Sequence, residues 1–122
     1  MKLQVQHLDA VSLFIRTILT ILVLTIAVFA VFSGADAYGG GVRGLIKNSP
    51  NALPWALLLV PVIIAWKSEK IGGILILVLG LGLVYYFNTG PNFFLATFLV
   101  TCMIPVLGGC LLIISRLRNR KV

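Results

Sequence analysis

The sequence predicts an all-α membrane protein, an integral bundle of four transmembrane helices with both ends in the cytoplasm. Three observations carry that reading. The chain has 122 residues, 60% of them hydrophobic and only 11% charged, whereas a soluble domain is roughly 45–50% apolar and about 25% charged. The apolar residues lie in four long blocks separated by polar breaks, and a soluble fold of this size could not cover them. The positive charges gather on flanks that an even number of crossings places on one side of a bilayer. One transmembrane domain covers residues 1–122, because nothing outside the blocks is long enough for a second.

The first block predicts a span over about 10–33. Asp9 is positioned to cap it. Arg16, about a turn and a half into the helix, reaches the headgroups along its aliphatic stem. Residues 34–50 form the one substantial loop, extracytoplasmic in this topology. Gly39, Gly40 and Gly41 favour a turning backbone there, and the 42–47 stretch is a candidate interfacial piece. The second span runs over about 51–66, with Asn51 as its expected cap and Pro54 in the first turn, where its missing N–H is harmless. Its reach of about 25 Å is short for a perpendicular crossing. Trp55 and Trp66 bracket it as interface anchors would. Pro61 should kink it, as Pro105 should kink the fourth span.

Lys67-Ser68-Glu69-Lys70 is a tight charged turn that makes an antiparallel hairpin with the third span, about 71–87. That span ends on the aromatic run Tyr85-Tyr86-Phe87. A neutral turn of loop-forming residues, Asn88 to Asn92, leads into the fourth span, about 93–115. The tail then carries Arg116, Arg118, Arg120 and Lys121.

With the N-terminus inside, the cytoplasmic flanks hold Lys2, Arg16, Lys67, Lys70, Arg116, Arg118, Arg120 and Lys121. The other side holds Arg43 and Lys47. The imbalance fixes an N-in/C-in orientation in the cell membrane as a multi-pass protein. One alternative competes. Ala35-Asp36-Ala37 has the small-x-small form of a signal-peptidase site, and cleavage near Ala37 would leave a three-span mature protein. A long leader containing Asp9, and an apolar stretch longer than a usual signal core, argue against it.

Residues 65–74, Ala-Trp-Lys-Ser-Glu-Lys-Ile-Gly-Gly-Ile, place a Trp-Lys-x-Glu-Lys turn before Ile-Gly-Gly. On these residues the stretch from about 52 to 115 resembles an uncharacterised family of small four-span prokaryotic membrane proteins, known by their domain of unknown function. The resemblance implies the topology and supplies no activity. It leaves the first span and the long loop uncovered.

No Asp, Glu or His falls within the expected spans, whereas proton-coupled carriers place such groups at mid-membrane. The small multidrug exporters share this length and rely on a carboxylate in the first span, where this chain offers only Arg16. Cys102 and Cys110 lie about 12 Å apart along one helix, too far for a disulfide. No His, Cys or carboxylate spacing suits a metal or an acid–base pair. The expectation is therefore no catalytic residue, no cofactor, no metal and no nucleic-acid partner. Glu69 is expected to balance Lys67 and Lys70 and to support the start of the third helix.

The candidate helix-packing residues are Gly72, Gly73, Gly80, Gly108 and Gly109, since small residues let helices approach closely in lipid. Arg16, Arg116, Arg118, Arg120 and Lys121 are candidate contacts to lipid phosphate at an anionic cytoplasmic face. Together these features point to a non-enzymatic accessory or structural protein that packs on itself, as a homo-oligomer, or on a partner membrane protein. A small oligomeric channel or carrier is the alternative, and its inward-facing polar groups would have to come from Thr17, Thr20, Thr25, Thr97, Thr101, Cys102 and Cys110. A lipid-acting enzyme needs a nucleophile, base or metal cluster at the interface, which the sequence does not offer, and a polar cavity converging on Arg16 and Glu69 would revive that reading.

Overall fold

The computed structural model describes residues 1–121. Among them are five α-helices: α1 (Lys2–Phe32), α2 (Gly41–Asn48), α3 (Leu53–Lys67), α4 (Glu69–Asn88) and α5 (Leu95–Lys121). No strand occurs among the described residues. The four long helical segments are long and apolar enough to cross a membrane. They pack as a closed ring: α1 on α3, α3 on α4, α4 on α5 and α5 back on α1, with the α4–α5 contact the most extensive. Lys121 Nζ donates to Gln4 Oε1 at 3.1 Å, so both chain ends lie at the same, charged end of the bundle.

Lipid offers no hydrophobic drive between helices, so close van der Waals contact must hold them. The sequence supplies it with glycine. A Cβ on Gly73 would lie 2.9 Å from Gly108 O, and one on Gly80 would lie 2.8 Å from Pro105 N. Gly108 returns the contact, 2.8 Å from Leu77 N. The α4 and α5 backbones therefore touch. Gly72 does the same for the α3–α4 hairpin, with its missing Cβ directed at the Ala65 backbone. Gly109 is different, because its nearest neighbour is Leu77 Cδ1 at an ordinary 3.9 Å. Leu19, Val23, Leu58, Val62, Ile76, Ile104 and Leu111 fill the core between these backbones. Large apolar side chains such as Phe14, Ile21, Val28, Ile63, Val78 and Val106 cover the outside, a surface suited to hydrocarbon and not to water.

Several boundaries differ from those the sequence predicts. Helix α1 starts at Lys2, so Asp9 lies within it and caps nothing. The polar lead is helical because nothing in it breaks a helix and its residues meet the end of α5. Asn51 is likewise no cap: it sits in a 3₁₀ turn over Ser49–Ala52 and donates to Asn48 Oδ1 at 2.5 Å. The tail after Ser115 continues α5 to Lys121. Helices run through both Pro61 and Pro105. Trp55 is buried, stacked on Phe87 with ring centroids 5.4 Å apart, and so packs inside the bundle where an interface anchor was expected.

Residues 34–50 are folded. Gly39, Gly40 and Gly41 all take positive φ, at 96°, 67° and 62°, a run that non-glycine residues avoid. This turns the chain back into α2, whose Val42 and Ile46 face outward while Gly44 and Asn48 are buried. Asn48 Nδ2 donates to Ala30 O at 3.0 Å and Val31 O at 2.6 Å. Those carbonyls close α1 and have no intrahelical donor. The sequence reading of the second span stops near residue 51, and α3 alone reaches about 22 Å. The 3₁₀ turn and α2 supply the remaining length.

The backbone contacts predict opposite outcomes for two glycines two residues apart on α4. Gly80→Leu should lower the unfolding free energy in detergent micelles by at least about 1–3 kcal/mol, the usual cost of overpacking. Gly82→Ala, where an added Cβ meets nothing within 4 Å, should be neutral or stabilise by about 0.5–1 kcal/mol. Thermal or denaturant unfolding followed by circular dichroism reads both.

Candidate functional site

The polar side chains of the bundle converge at its charged end. Ser68 is extended (φ −141°, ψ 104°), so it ends α3 and starts α4 within one residue, and its hydroxyl accepts the Ile71 N–H at 3.4 Å. That reversal aims Glu69, the first residue of α4, into the bundle, with only 9% of its side chain exposed. A carboxylate at this depth needs partners. They come from two other helices. Arg118 Nη1 on α5 donates to Glu69 Oε2 at 2.7 Å. On α1, Ser12 Oγ donates to Glu69 Oε1, and Arg16 Nη2 lies 3.7 Å from the same oxygen.

The network continues outward. Arg118 Nη2 pairs with Asp9 Oδ1 at 2.7 Å, while Arg118 Nε is buried without a partner. Arg16 Nη1 donates to Trp66 O at 3.3 Å, and its guanidinium lies 5.0 Å from the Trp66 ring centroid. The first contact supplies a donor to the C-terminal turn of α3; the second is a cation–π contact. Trp66 Nε1 in turn donates to Thr20 Oγ1 at 3.0 Å. Two arginines and two carboxylates thus balance in charge across α1, α4 and α5.

Beside this network is an open polar cavity of about 460 Å³. Arg16, Lys67, Lys70 and Arg118 line it together with Asp9 and Glu69, and Ser68, Ser115 and Asn119 add neutral polar groups. It is a polar cavity converging on Arg16 and Glu69, the observation that would revive an enzymatic reading. Ser12, the hydroxyl nearest the carboxylate, is fully buried and does not line it. Among the described residues, no three His, Cys, Asp or Glu side chains come close enough to hold a metal. Cys102 and Cys110 are half-buried free thiols.

The sequence-selected residues separate into groups here. Arg16 and Arg118 join the cluster, whereas Arg116 and Arg120 are exposed on α5 and line no part of the cavity. Lys121 reaches Gln4. Glu69 was expected to act within its own turn, yet its contacts are across the bundle, and Lys67 and Lys70 form no ion pair with it. The sequence reading missed Ser12 and the pairing of Asp9. The available signal was spacing: Ser12 and Arg16 are four apart and share a helix face, and Glu69 is the one acidic residue after Asp36.

The polar stock of a channel is placed differently. Thr17 and Thr25 face outward. Thr17, Thr20 and Thr101 each donate to the carbonyl four residues back, at 2.8 Å. At the far end Asn88 Nδ2 donates to Val84 O at 2.8 Å and Thr101 Oγ1 at 3.1 Å, joining α4 to α5.

The chain belongs to the family defined by a domain of unknown function, DUF7670, whose match covers residues 1–122. The resemblance carried by residues 52–115 therefore extends over the first span and the 34–50 segment. No curated protein and no solved structure matches the chain.

The two acidic members of the cluster should behave unequally. Glu69→Ala leaves Arg16 without a carboxylate and Arg118 with Asp9 alone, and a broken buried pair costs about 3–5 kcal/mol of unfolding free energy. Asp9, whose side chain is 58% exposed, should cost under about 1 kcal/mol as Asp9→Asn. Denaturant unfolding in micelles, followed by circular dichroism, measures the difference.

Proposed function

We propose that this DUF7670 member is a non-enzymatic multi-pass protein of the cell membrane, with both termini in the cytoplasm. It serves as an accessory or structural component that packs on a partner membrane protein or on itself. The observation that carries this reading is the engagement of Glu69 by Ser12, Arg16 and Arg118. The one carboxylate drawn into the bundle is committed to holding helices together. A general base must be able to reach a reacting proton, and a transporting carboxylate must be able to exchange one. Glu69 is held by two arginines instead. The hydroxyls of Thr17, Thr20 and Thr101 are bonded to their own helices, which also weakens the channel reading.

Positive charge at the shared end supports the N-in/C-in orientation, since Lys and Arg collect on the cytoplasmic side. Retention of α1 is supported by what the rest of the bundle takes from it. Ser12 and Arg16 bind Glu69, and Leu19 and Val23 are fully buried. Loss of residues 1–37 would strip both the network and the core. An association surface is available between α3 and α4. An apolar groove of about 300 Å³ runs between α3 and α4 beside Gly82, where no atom approaches the missing Cβ.

Gentle purification of the tagged full chain, with crosslinking and mass spectrometry, tests the reading. The expected result is a stoichiometric partner membrane protein or a defined homo-oligomer, peptides from residues 2–16 on the mature chain, and no solute flux in liposomes. Saturable flux, lost on substitution of Thr101 or Asn88, would contradict it.

A further inference from the structure

The cavity at the charged end has a charge surplus that its ion pairs do not absorb. The arginines Arg16 and Arg118 face the carboxylates Glu69 and Asp9 at 2.7–3.7 Å, and that set of four is neutral. Lys67 and Lys70 line the same cavity and have no carboxylate within 4.0 Å among the described residues. They flank Ser68 on the reversal between α3 and α4. The first turn of α4 begins at the same place, and its Ile71 N–H is already taken by Ser68 Oγ.

Size and position match this surplus. A volume of about 460 Å³ lies within the roughly 300–1,000 Å³ usual for small-molecule sites. The lining is charged and polar, unlike that of the apolar groove between α3 and α4. The cavity sits where the apolar exterior gives way to the charged ends of α1 and α5. Trp66 is exposed beside it, and aromatic residues of this kind mark headgroup level.

We propose that this cavity binds a single phosphate group, with Lys67 and Lys70 as its charge partners and the neutral Arg–carboxylate network as its back wall. Lysine acts as a point-charge phosphate binder, so the ligand does not have to break the arginine pairs to enter. The phosphate reaches the site on an anionic lipid headgroup from the bilayer or as free phosphate from water, and the chemistry of capture is the same. The lipid route rests on the membrane placement proposed above.

The test uses the full chain in mild detergent. Native mass spectrometry compares retention of phosphatidylglycerol with phosphatidylcholine, and thermal unfolding compares inorganic phosphate with chloride at equal ionic strength. The expected result is one phosphatidylglycerol per chain, retained at least tenfold over phosphatidylcholine. Lys67→Gln with Lys70→Gln should cut that at least tenfold, while Lys67→Arg with Lys70→Arg keeps it. Arg116→Gln with Arg120→Gln, outside the cavity, should change it less than twofold. Stabilisation by inorganic phosphate that vanishes in the Lys67→Gln/Lys70→Gln variant, without lipid retention, supports the site with free phosphate as its ligand. Equal retention of both lipids with no phosphate stabilisation would overturn the proposal, as would equal loss in the cavity and tail Gln variants. Failure of membrane placement would show separately, as release of the protein from membranes by an alkaline carbonate wash.

Discussion

Glu69 holds its carboxylate, with 9% of the side chain exposed, in a bundle whose outer face between its ends is lined by large apolar side chains. Removing such a group from water is costly, and the cost is offset only if its oxygens are met by donors in good geometry. Ser12 and Arg16 on α1 and Arg118 on α5 provide them. None of the three is close to Glu69 in sequence. The carboxylate can be satisfied only when α1, the α3–α4 reversal and α5 come together, so one residue fixes the register of three helices at the charged end. Arg16 extends the constraint to α3 through Trp66 O.

Away from that end, geometry takes over from charge. Gly73, Gly80 and Gly108 bring the α4 and α5 backbones into contact, and Gly72 does so for α3 and α4. Neither device would suffice alone. Glycine contacts provide dispersion but tolerate sliding, whereas the Glu69 pairs set the vertical register and leave the mid-bundle open. At the far end, Asn88 to Thr101 and Asn48 to the last carbonyls of α1 complete the closure. The contacts of Glu69, Asn48 and Asn88 lie near the ends of the bundle.

The four apolar helices were legible because their signal is compositional and local. The packing glycines were legible too, since Gly73 and Gly80 are seven apart and so share a face. Gly109 was not separable from Gly108 by sequence, because two neighbouring positions on a helix differ only in rotation. The cluster was harder to see. Glu69 stands between Lys67 and Lys70 in the chain, so the local reading pairs it there, and Asp9 reads locally as a helix cap. Their actual partners are 49 to 109 residues away, and only the fold reveals that Arg118 sits between both acids. The fold of residues 34–50 was hidden for a related reason. Its stability comes from Asn48 reaching back to α1, a contact between separate elements that no local pattern encodes.

Glu69 and Arg118 should be energetically coupled across α4 and α5. A double-mutant cycle of Glu69→Gln and Arg118→Gln, read as unfolding free energy in micelles, measures this directly. The expected coupling is at least about 1 kcal/mol, within the roughly 0.5–3 kcal/mol of residues sharing a network. A coupling below about 0.5 kcal/mol, with the two substitutions simply additive, would contradict it and leave the glycine contacts as the source of the architecture.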